Sequence, residues 1–422
     1  MRLTSTSRHL ARASRASRRL VSTVALPEAT EASAFGTLTA DHRDLRDTSK
    51  AFFMDRFHGL NERMDNEDYW PADAWPTMGK QGYLGLTVPP EYGGAGLDFL
   101  SAGMIGESLS YANPSLGLSH AAHDNLCANN IYLNGTEEQR RRLLPGLCDG
   151  TKVGALGMSE PGAGSDALGS MRTRATREGD AYVLNGSKIW ITNGPVADVM
   201  LVYAKTAPEL GNKGISAFLV ERDAPGFSVA QKLDKMGLRG SPMGELVFTD
   251  CRVPAANLLG RENGGAAIMM SGLDLERAWV SLGAIAIGER ALDLAVGYAR
   301  ERKQFGKPLG AFQLVQAKLA SMYTQLEAAR GLVYRALDAC SAVEAGGAGR
   351  GDIHKLCAAA FLASAEASSL CTNEAVQIWG AMGYMRDTEV NRLYRTSKAG
   401  EIAGGSVEVR KMIIAGELLK ES

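Results

Sequence analysis

The hydrophobic period changes twice along this chain of 422 residues, and each change indicates a different architecture. Residues 38–150 place apolar side chains three and four positions apart, as in LTADHRDLRDTSKAFFMDRFHGL, which is typical of amphipathic helices. Residues 151–260 contain short apolar runs, such as VMLVYAKT and GISAFLVE, between glycine, proline and aspartate, which is typical of β-strands. Helical spacing returns over residues 264–422. This order predicts a helical region, a β region and then a helical bundle.

Local signals add detail to this order. The run TRATREGDAYVLNGSKIWITNG predicts two strands joined at Asn185-Gly186, because that pair favours tight hairpin turns. The run TEEQRRRLLPGL opens with a capping box from Thr136 to Gln139. A long amphipathic helix is predicted over residues 312–342.

The first residues of the chain have the composition of a targeting sequence. Residues 1–27 contain six arginines, many Ser, Thr and Ala, and no acidic residue before Glu28. We therefore predict that residues 1–30 are a transit peptide and that the protein lies in the mitochondrial matrix, with a plastid as the alternative. Cleavage near Pro27 would remove six of the 46 basic residues and leave 40 against 47 acidic ones, a net charge of about −7. Such a charge argues against a nucleic-acid partner.

Other composition features exclude further classes of function. Six cysteines are scattered without a CxxC pair, which argues against a zinc site and a disulfide framework. The six histidines form no metal-binding cluster, so no metal is predicted. No stretch of about 18 apolar residues occurs, and we expect no membrane span.

Glu276, in SGLDLER, stands on the apolar face of a predicted helix. At helical spacing its neighbours include Met269, Leu273, Trp279 and Val280. A carboxylate at such a position is costly unless it is paired or protonated. Either a cation pairs with Glu276, or the carboxylate is a general base with a raised pKa. The local pattern leaves both interpretations open.

Four further motifs combine small residues, aromatic rings and hydrogen-bonding groups. LGMSEPGAGSD lets a backbone approach a flat or phosphorylated ligand, and KIWITN puts Trp190 and Thr192 on one side of a strand. In RERKQFGKPLGAFQ, Arg302 suits a phosphate and Phe305 suits a base. QIWGAMGY and GEIAGGSVEVR again place glycines where a ligand could approach. Each motif alone also fits an ordinary turn, core residue or helix end.

The order and spacing of these motifs resemble the acyl-CoA dehydrogenase family of flavoproteins from about residue 40 to 415. MSEPGAGSD, WITNG, the RxxFGxxxxxFQ run and the closing EVR carry the resemblance. It implies an α+β multidomain fold: an N-terminal α-helical domain (38–150), a middle β-barrel-like domain (151–262) and a C-terminal four-helix bundle domain (263–422). It also implies FAD as cofactor and a homotetramer.

The resemblance also assigns residues to the cofactor and the substrate. The flavin ring and ribityl chain would be held by Leu156, Met158, Ser159, Gly164, Ser165, Trp190, Ile191 and Thr192. The FAD of a neighbouring subunit would be contacted by Arg302, Phe305, Gln313, Gln377, Gly380, Ala381, Ser406 and Glu408. The acyl-CoA would be contacted by Ser165, Asp274, Leu275, Arg277, Gly404 and Gly405.

Within the family, SGLDLER, KLDKMGLRGS and VPAANLLG are similar to the isovaleryl-CoA dehydrogenase branch. Most of the family has its catalytic glutamate in the C-terminal loop, where this chain has Gly404. The branch has a small residue there and a helix glutamate, which Glu276 matches. The resemblance implies conversion of isovaleryl-CoA to 3-methylcrotonyl-CoA in leucine catabolism. Glu276 would remove the α proton, a hydride would go to flavin N5, and electron-transfer flavoprotein would receive the electrons.

Several positions depart from the branch pattern. Ala381 replaces a glycine near the neighbour's FAD, and Ala267 replaces a tyrosine of the substrate pocket. Loss of that ring enlarges the pocket, so specificity for a longer or 2-methyl-branched chain is an alternative. A scaffold or assembly protein with little catalysis is a second alternative, and a flavin oxidase is a third.

Overall fold

Helices form both ends of the described chain, with one sheet between them in sequence. The structure is a computed structural model that describes residues 38–344 and 350–420. The predicted transit peptide, residues 1–30, lies outside the described residues. The predicted order of a helical, a β and a helical region is confirmed.

Seven α-helices and one π-helix make up the N-terminal region that the structure describes. Helix α4 is buried along its whole length and packs against α1. The predicted capping box at Thr136 and Gln139 is confirmed, and the helix that it opens continues through Pro145. The bounds are α1 Ala40–Arg56, α2 Asn61–Glu67, α3 Ala74–Lys80, α4 Phe99–Ala112, α5 Pro114–Ala121, the π-helix Ala122–Asn129, α6 Asn130–Asn134 and α7 Glu137–Cys148.

The middle region forms an eight-stranded sheet, in which β1 pairs in parallel with β4. The other strands follow the order β6-β7-β3-β2-β4-β5-β8. Their bounds are β1 Gly154–Gly157, β2 Arg174–Glu178, β3 Ala181–Thr192, β4 Val199–Lys205, β5 Ile215–Glu221, β6 Phe227–Lys232, β7 Met243–Pro254 and β8 Leu258–Leu259.

Strand β4 is apolar throughout because both of its faces are covered. Leu201 and Tyr203 belong to a core shared with the N-terminal helices. Met200 and Val202 belong to a second core formed by the other strands. A strand buried on both faces reads as a continuous apolar run rather than an alternating one.

The predicted hairpin at Asn185-Gly186 is wrong, because both residues lie inside strand β3. The turn between β2 and β3 is instead Gly179-Asp180, with Glu178 paired to Ala181. At Asn185 the side chain exchanges hydrogen bonds with Asp250 on β7, at 2.9 and 3.1 Å. The ladder with β7 shifts its register there, which marks a β-bulge.

Long helices return after the sheet. Helix α8 packs on α10, α4 and α9, so the apolar stripe that carries Glu276 faces a helical core. The predicted long helix over residues 312–342 is confirmed as α9. The bounds are α8 Gly265–Glu301, α9 Gln313–Glu344, α10 Arg350–Trp379, α11 Ala381–Tyr384, α12 Glu389–Ile402 and α13 Val407–Leu418.

Two further observations concern the described part of the chain as a whole. None of its helices is both long enough and apolar enough to span a bilayer. Within the same residues, no three His, Cys, Asp or Glu side chains come together as they would around a metal ion.

Candidate active site

Glu276 has no direct polar partner within the described residues. No hydrogen bond or ion pair reaches its carboxylate, although the side chain is half-buried on α8. Arg277 beside it is committed elsewhere, because its Nη1 lies 3.0 Å from Asp274 Oδ1. Burial raises the pKa of Glu276 to about 7, and Arg277 and Arg410 only partly oppose that rise. The structure therefore favours the general-base interpretation over a paired structural glutamate.

The C-terminal loop lies next to the helix that carries Glu276. The Nε of Arg277 donates to the carbonyl oxygen of Gly404 at 3.3 Å. Gly404 and Gly405 have left-handed φ angles of 65° and 87°. A Cβ at Gly404 would lie 2.8 Å from Phe361 Cε1, which is too close for any side chain without a shift. No acceptor for the Gly404 N–H occurs among the described residues, so this N–H remains available to a ligand.

The predicted substrate residues on α8 lie beside Glu276 and the C-terminal loop. Asp274 and Arg277 are buried, and Leu275 is buried with them. His354 Nδ1, on α10, lies 2.5 Å from Asp274 Oδ1. Ser165 is exposed on the loop after β1, and no hydrogen bond or ion pair between described residues joins it to this group.

The loop after β1 is held from behind by a buried ion pair. Lys188 Nζ lies 2.8 Å from Glu160 Oε1 and donates to the carbonyl oxygen of Met158 at 3.1 Å. The Glu160 carboxylate also accepts the backbone N–H groups of Arg172 at 2.6 Å and Thr173 at 3.0 Å. Four donations therefore fix the backbone of this loop against the sheet.

An exposed indole, Trp190, lies beside Gly164 on the outer side of this loop, and the two form what we call the exposed shelf. Trp190 is 51% exposed and has a left-handed φ of 61°, at a bulge in strand β3. A Cβ at Gly164 would lie 3.9 Å from Trp190 Cζ3, so the loop and the indole are close neighbours. The half-buried Thr192 and the exposed Ser165 add hydroxyl groups. An indole beside small residues and hydroxyls fits a planar ring with a polar edge, such as a flavin.

The other residues predicted to hold the flavin differ in how far they are buried. Leu156 and Met158 are partly buried and pack against the core shared with the helices. Ser159 uses its carbonyl oxygen to accept the N–H of Ile189 at 3.0 Å. Ile191 is 97% buried.

Arg302, Phe305 and Gln313 lie on an exposed segment after α8. Lys303–Gln304 and Lys307–Pro308 form a two-stranded ribbon whose tip is Phe305-Gly306. Phe305 has a left-handed φ of 49° and is 92% exposed. Between described residues, no hydrogen bond, ion pair or ring contact joins this segment to the loop after β1. This segment is thus a short hairpin that displays an aromatic ring.

The last predicted cofactor residues surround two helix starts. Gln377, Gly380 and Ala381 are exposed at the end of α10, where Gly380 has a left-handed φ of 60°. Ser406 caps α13 by accepting the N–H of Val409 at 3.5 Å. Glu408 is exposed in the first turn of α13.

Three family models match successive parts of the chain. They describe the N-terminal domain of acyl-CoA dehydrogenases over residues 39–151, the middle domain over 155–251 and the C-terminal domain over 263–419. The chain belongs to the acyl-CoA dehydrogenase family. The predicted fold class, with its helical, β and helical domains, is confirmed as the fold of this family.

Relatives within the acyl-CoA dehydrogenase family cover most of the chain. The mitochondrial isovaleryl-CoA dehydrogenase of Solanum tuberosum is 46% identical, over 85% of this chain and 86% of that protein. The mitochondrial isovaleryl-CoA dehydrogenase of Pongo abelii is 43% identical, over 90% and 89%. The mitochondrial 2-methylacyl-CoA dehydrogenase of Solanum tuberosum is 42% identical, over 90% of each.

Solved structures share the fold of this chain. Butyryl-CoA dehydrogenase from Megasphaera elsdenii matches with a TM-score of 0.86 and 39% identity, over 90% of this chain and 99% of that one. A structure of PigA with FAD and proline matches with a TM-score of 0.86 and 28% identity, over 91% and 99%.

Sequence reasoning missed three residues of this acyl-CoA dehydrogenase site. Arg410, the last residue of EVR, is fully buried near Glu276 and Arg277, and it interacts electrostatically with both. Tyr203 is fully buried on β4, and its pKa is raised by burial and then by the charge of Glu276. His354 pairs with Asp274. The EVR motif was a usable signal for Arg410, whereas Tyr203 and His354 come from distant elements that no local pattern connects.

Proposed function

We propose that this protein is an FAD-dependent dehydrogenase that converts isovaleryl-CoA to 3-methylcrotonyl-CoA in the mitochondrial matrix, as in leucine catabolism. Two relatives named mitochondrial isovaleryl-CoA dehydrogenases, at 43 and 46% identity, support the substrate and the compartment. The family and the FAD-bound relative PigA support the cofactor. The exposed shelf at Trp190 and Gly164 fits its ring.

One observation about the two walls of the site carries this proposal. The C-terminal loop offers Gly404, which has no side chain and no room for one. The opposite helix offers Glu276, whose carboxylate is unpaired and whose pKa is raised to about 7 by burial. A base with a pKa near the working pH is the arrangement that general-base catalysis requires.

The chain's own groups then perform the steps around the substrate. The free N–H of Gly404 donates to the thioester oxygen, which stabilises negative charge as it develops there and acidifies the α C–H bond. Glu276 removes the α proton, and its partial burial makes the charged carboxylate reactive. FAD, when bound, supplies the acceptor for the hydride that leaves the β carbon. Asp274, Leu275, Arg277, Gly405 and Ser165 position the acyl-CoA.

We propose that two groups of residues hold FAD. Within one chain these are Leu156, Met158, Ser159, Gly164, Ser165, Trp190, Thr192 and the backbone of Ile191. A second copy contributes Arg302, Phe305, Gln313, Gln377, Gly380, Ala381, Ser406 and Glu408.

The exposed segments support a homotetramer as the working form. Phe305, Leu314 and Tyr384 are 92, 81 and 79% exposed, and each lies in or beside a segment that we propose to contact the FAD of another copy. Electrons would leave the reduced enzyme to an electron-transfer flavoprotein.

A second candidate is a dehydrogenase for 2-methyl-branched or longer acyl-CoA. The 42% identity to a 2-methylacyl-CoA dehydrogenase favours it. The small Ala267 also favours it, because that side chain is exposed and leaves space at the start of α8. The scaffold alternative rests on the altered Gln377–Ala381 segment, and the unpaired Glu276 argues against it.

The test is an anaerobic titration of the purified holoenzyme, followed by the visible absorbance of the flavin. Isovaleryl-CoA, 2-methylbutanoyl-CoA and octanoyl-CoA are added in parallel to the parent and to Glu276→Gln. We expect isovaleryl-CoA to bleach the parent fastest, and the variant to be slower by about a thousandfold, because its amide cannot accept the proton. Glu276→Asp serves as the matched control, since it keeps a carboxylate and should keep part of the rate.

Each outcome separates the candidates. Bleaching by 2-methylbutanoyl-CoA or octanoyl-CoA alone would keep the base and replace the substrate. A Glu276→Gln variant as fast as the parent would refute Glu276 as the base. A protein that binds no flavin when FAD is added would support the scaffold function, and stoichiometric peroxide formation in air would support an oxidase.

A further inference from the structure

Arg410 is a fully buried cation on α13 whose side chain contacts the C-terminal loop. Its Nη2 donates to the carbonyl oxygens of Gly400 at 2.7 Å and Ala403 at 2.6 Å. Its guanidinium carbon lies 3.5 Å from the centre of the Phe361 ring, the same ring that limits space at Gly404. Arg410 therefore fixes the backbone that leads directly into Gly404.

The remaining nitrogens of Arg410 have no partner among the described residues. Its Nε and Nη1 are buried and make no hydrogen bond there, and no carboxylate lies within ion-pair distance. The next residue on α13, Lys411, is by contrast an exposed cation with an ion-pair partner. Its Nζ lies 3.2 Å from Glu366 Oε1. A buried and unpaired guanidinium is costly, so it requires a reason beyond holding two carbonyls.

The groups that act on Glu276 point to that reason. In the described chain, its charged and titratable neighbours are Arg277 on its own helix, Arg410 on α13 and Tyr203 on β4. Arg277 already serves Asp274 and the Gly404 carbonyl. Tyr203 is neutral, because burial raises its pKa far above the physiological range. Both arginines favour the charged form of Glu276, Arg277 the more strongly. Arg277 is also held in an ion pair with Asp274, whereas Arg410 forms no ion pair in the described chain. With a pKa of about 10, Arg410 is charged at neutral pH.

We propose that Arg410 is a positioning residue that favours the ionised form of Glu276 and holds the Gly404 loop in place. This inference rests on the proposed function, in which Glu276 is the base. A positive charge close to a carboxylate favours the ionised form and lowers the pH at which the base becomes active. The two carbonyl bonds keep that charge and the Gly404 N–H at fixed positions.

The test compares the pH dependence of anaerobic flavin bleaching by isovaleryl-CoA in holoenzymes. Arg410→Gln removes the charge and keeps an N–H donor for the loop, whereas Arg410→Lys keeps the charge and can no longer bridge both carbonyls. In Arg410→Gln we expect the acid limb of the rate profile to move up by about one pH unit. In Arg410→Lys we expect a slower rate with the limb at the parental pH. Lys411→Met, the neighbouring loss of a cation, should leave the limb unchanged.

The proposal is overturned if Arg410→Gln retains the parental limb, or if the charge-retaining Arg410→Lys shifts it. FAD content and circular dichroism establish that each variant is folded. If Arg410→Gln does not fold, Arg410→Lys still decides, because a shifted limb contradicts the charge argument. Failure of the proposed function is seen separately, as a parent that does not bleach or as a Glu276→Gln variant that bleaches at the parental rate.

Discussion

Two glutamates in this protein, Glu160 buried and Glu276 half-buried, experience opposite environments. Glu160 accepts Lys188 Nζ at 2.8 Å and two backbone N–H groups. Glu276 accepts no hydrogen bond from the described residues, and its nearest charged neighbours act on it only through space. Burial works against the charge of Glu160, but Lys188 and the hydrogen bonds outweigh it, so its pKa falls below the ordinary value. Burial prevails at Glu276, and its pKa rises to about 7.

The difference shows how one residue type serves two purposes in one fold. The Glu160 carboxylate, which has hydrogen-bond partners, holds the loop after β1 against the sheet. Those hydrogen bonds favour its ionised form over its protonated form. The unsatisfied carboxylate is close to balance between its two protonation states, which suits a group that must accept a proton. Each of the following predictions tests this contrast, from the largest expected effect to the smallest.

Lys188→Met should lower the free energy of unfolding by about 3–5 kcal/mol, because it leaves Glu160 charged and buried without its cation. Urea denaturation of the holoenzyme and the parent measures the loss. The double variant Lys188→Met/Glu160→Gln should recover a large part of it, since no buried charge remains. If Lys188→Met were as stable as the double variant, the Lys188–Glu160 ion pair would not be what stabilises this loop.

Glu276→Gln should stabilise the fold at high pH. The pKa of Glu276 is about 7 in the folded protein and 4.5 in its reference state. A carboxyl group with a raised pKa favours the folded state most below the reference pKa, and that stability is lost as the pH rises through about 7. At pH 8 the amide should therefore add about 3 kcal/mol, and at pH 4.5 it should add little. Thermal unfolding at the two pH values measures the change, and an equal gain at both would contradict the assigned pKa.

Tyr203→Phe should change stability least. The Tyr203 hydroxyl is buried without a hydrogen-bond partner in the described chain, so its removal should be neutral or stabilising by up to about 1 kcal/mol. Tyr334→Phe is the matched control, because the Tyr334 hydroxyl donates to Glu107 at 3.0 Å and its loss should cost about 1–2 kcal/mol. Urea unfolding of both variants makes the comparison. Equal losses would mean that Tyr203 has a partner in the holoenzyme.

Much of the fold could be predicted because periodicity and caps act over a few residues. The long helix α9 and the capping box at Thr136 are examples. The hairpin prediction at Asn185-Gly186 failed because a contact distant in sequence decides that site. Asn185 bonds to Asp250 on another strand, and a Cβ at Gly186 would lie 2.5 Å from Thr173 Oγ1. The pair therefore forms a bulge rather than a turn.

The residues of the candidate site also divide into those that a local pattern predicts and those that only tertiary contacts reveal. Glu276 could be predicted from the sequence because a carboxylate on an apolar helical face is unusual. The apolar residues around it lie in adjacent turns of the same helix, so a local pattern reveals them. Arg410 lies 134 positions later, and only tertiary packing reveals that its charge acts on Glu276. The Lys188–Glu160 pair was not predicted because alternation along β3 is interrupted by two bulges.

The exposed ring of Phe305 has a consequence for how the protein responds to its own concentration. In the proposed assembly this ring meets the cofactor of another copy, so FAD binding and association stabilise one another. Dilution would then release cofactor as well as subunits, and added FAD would draw the subunits together again. Loss of flavin would become a cooperative event of the whole assembly, with a midpoint that depends on protein concentration as well as on FAD.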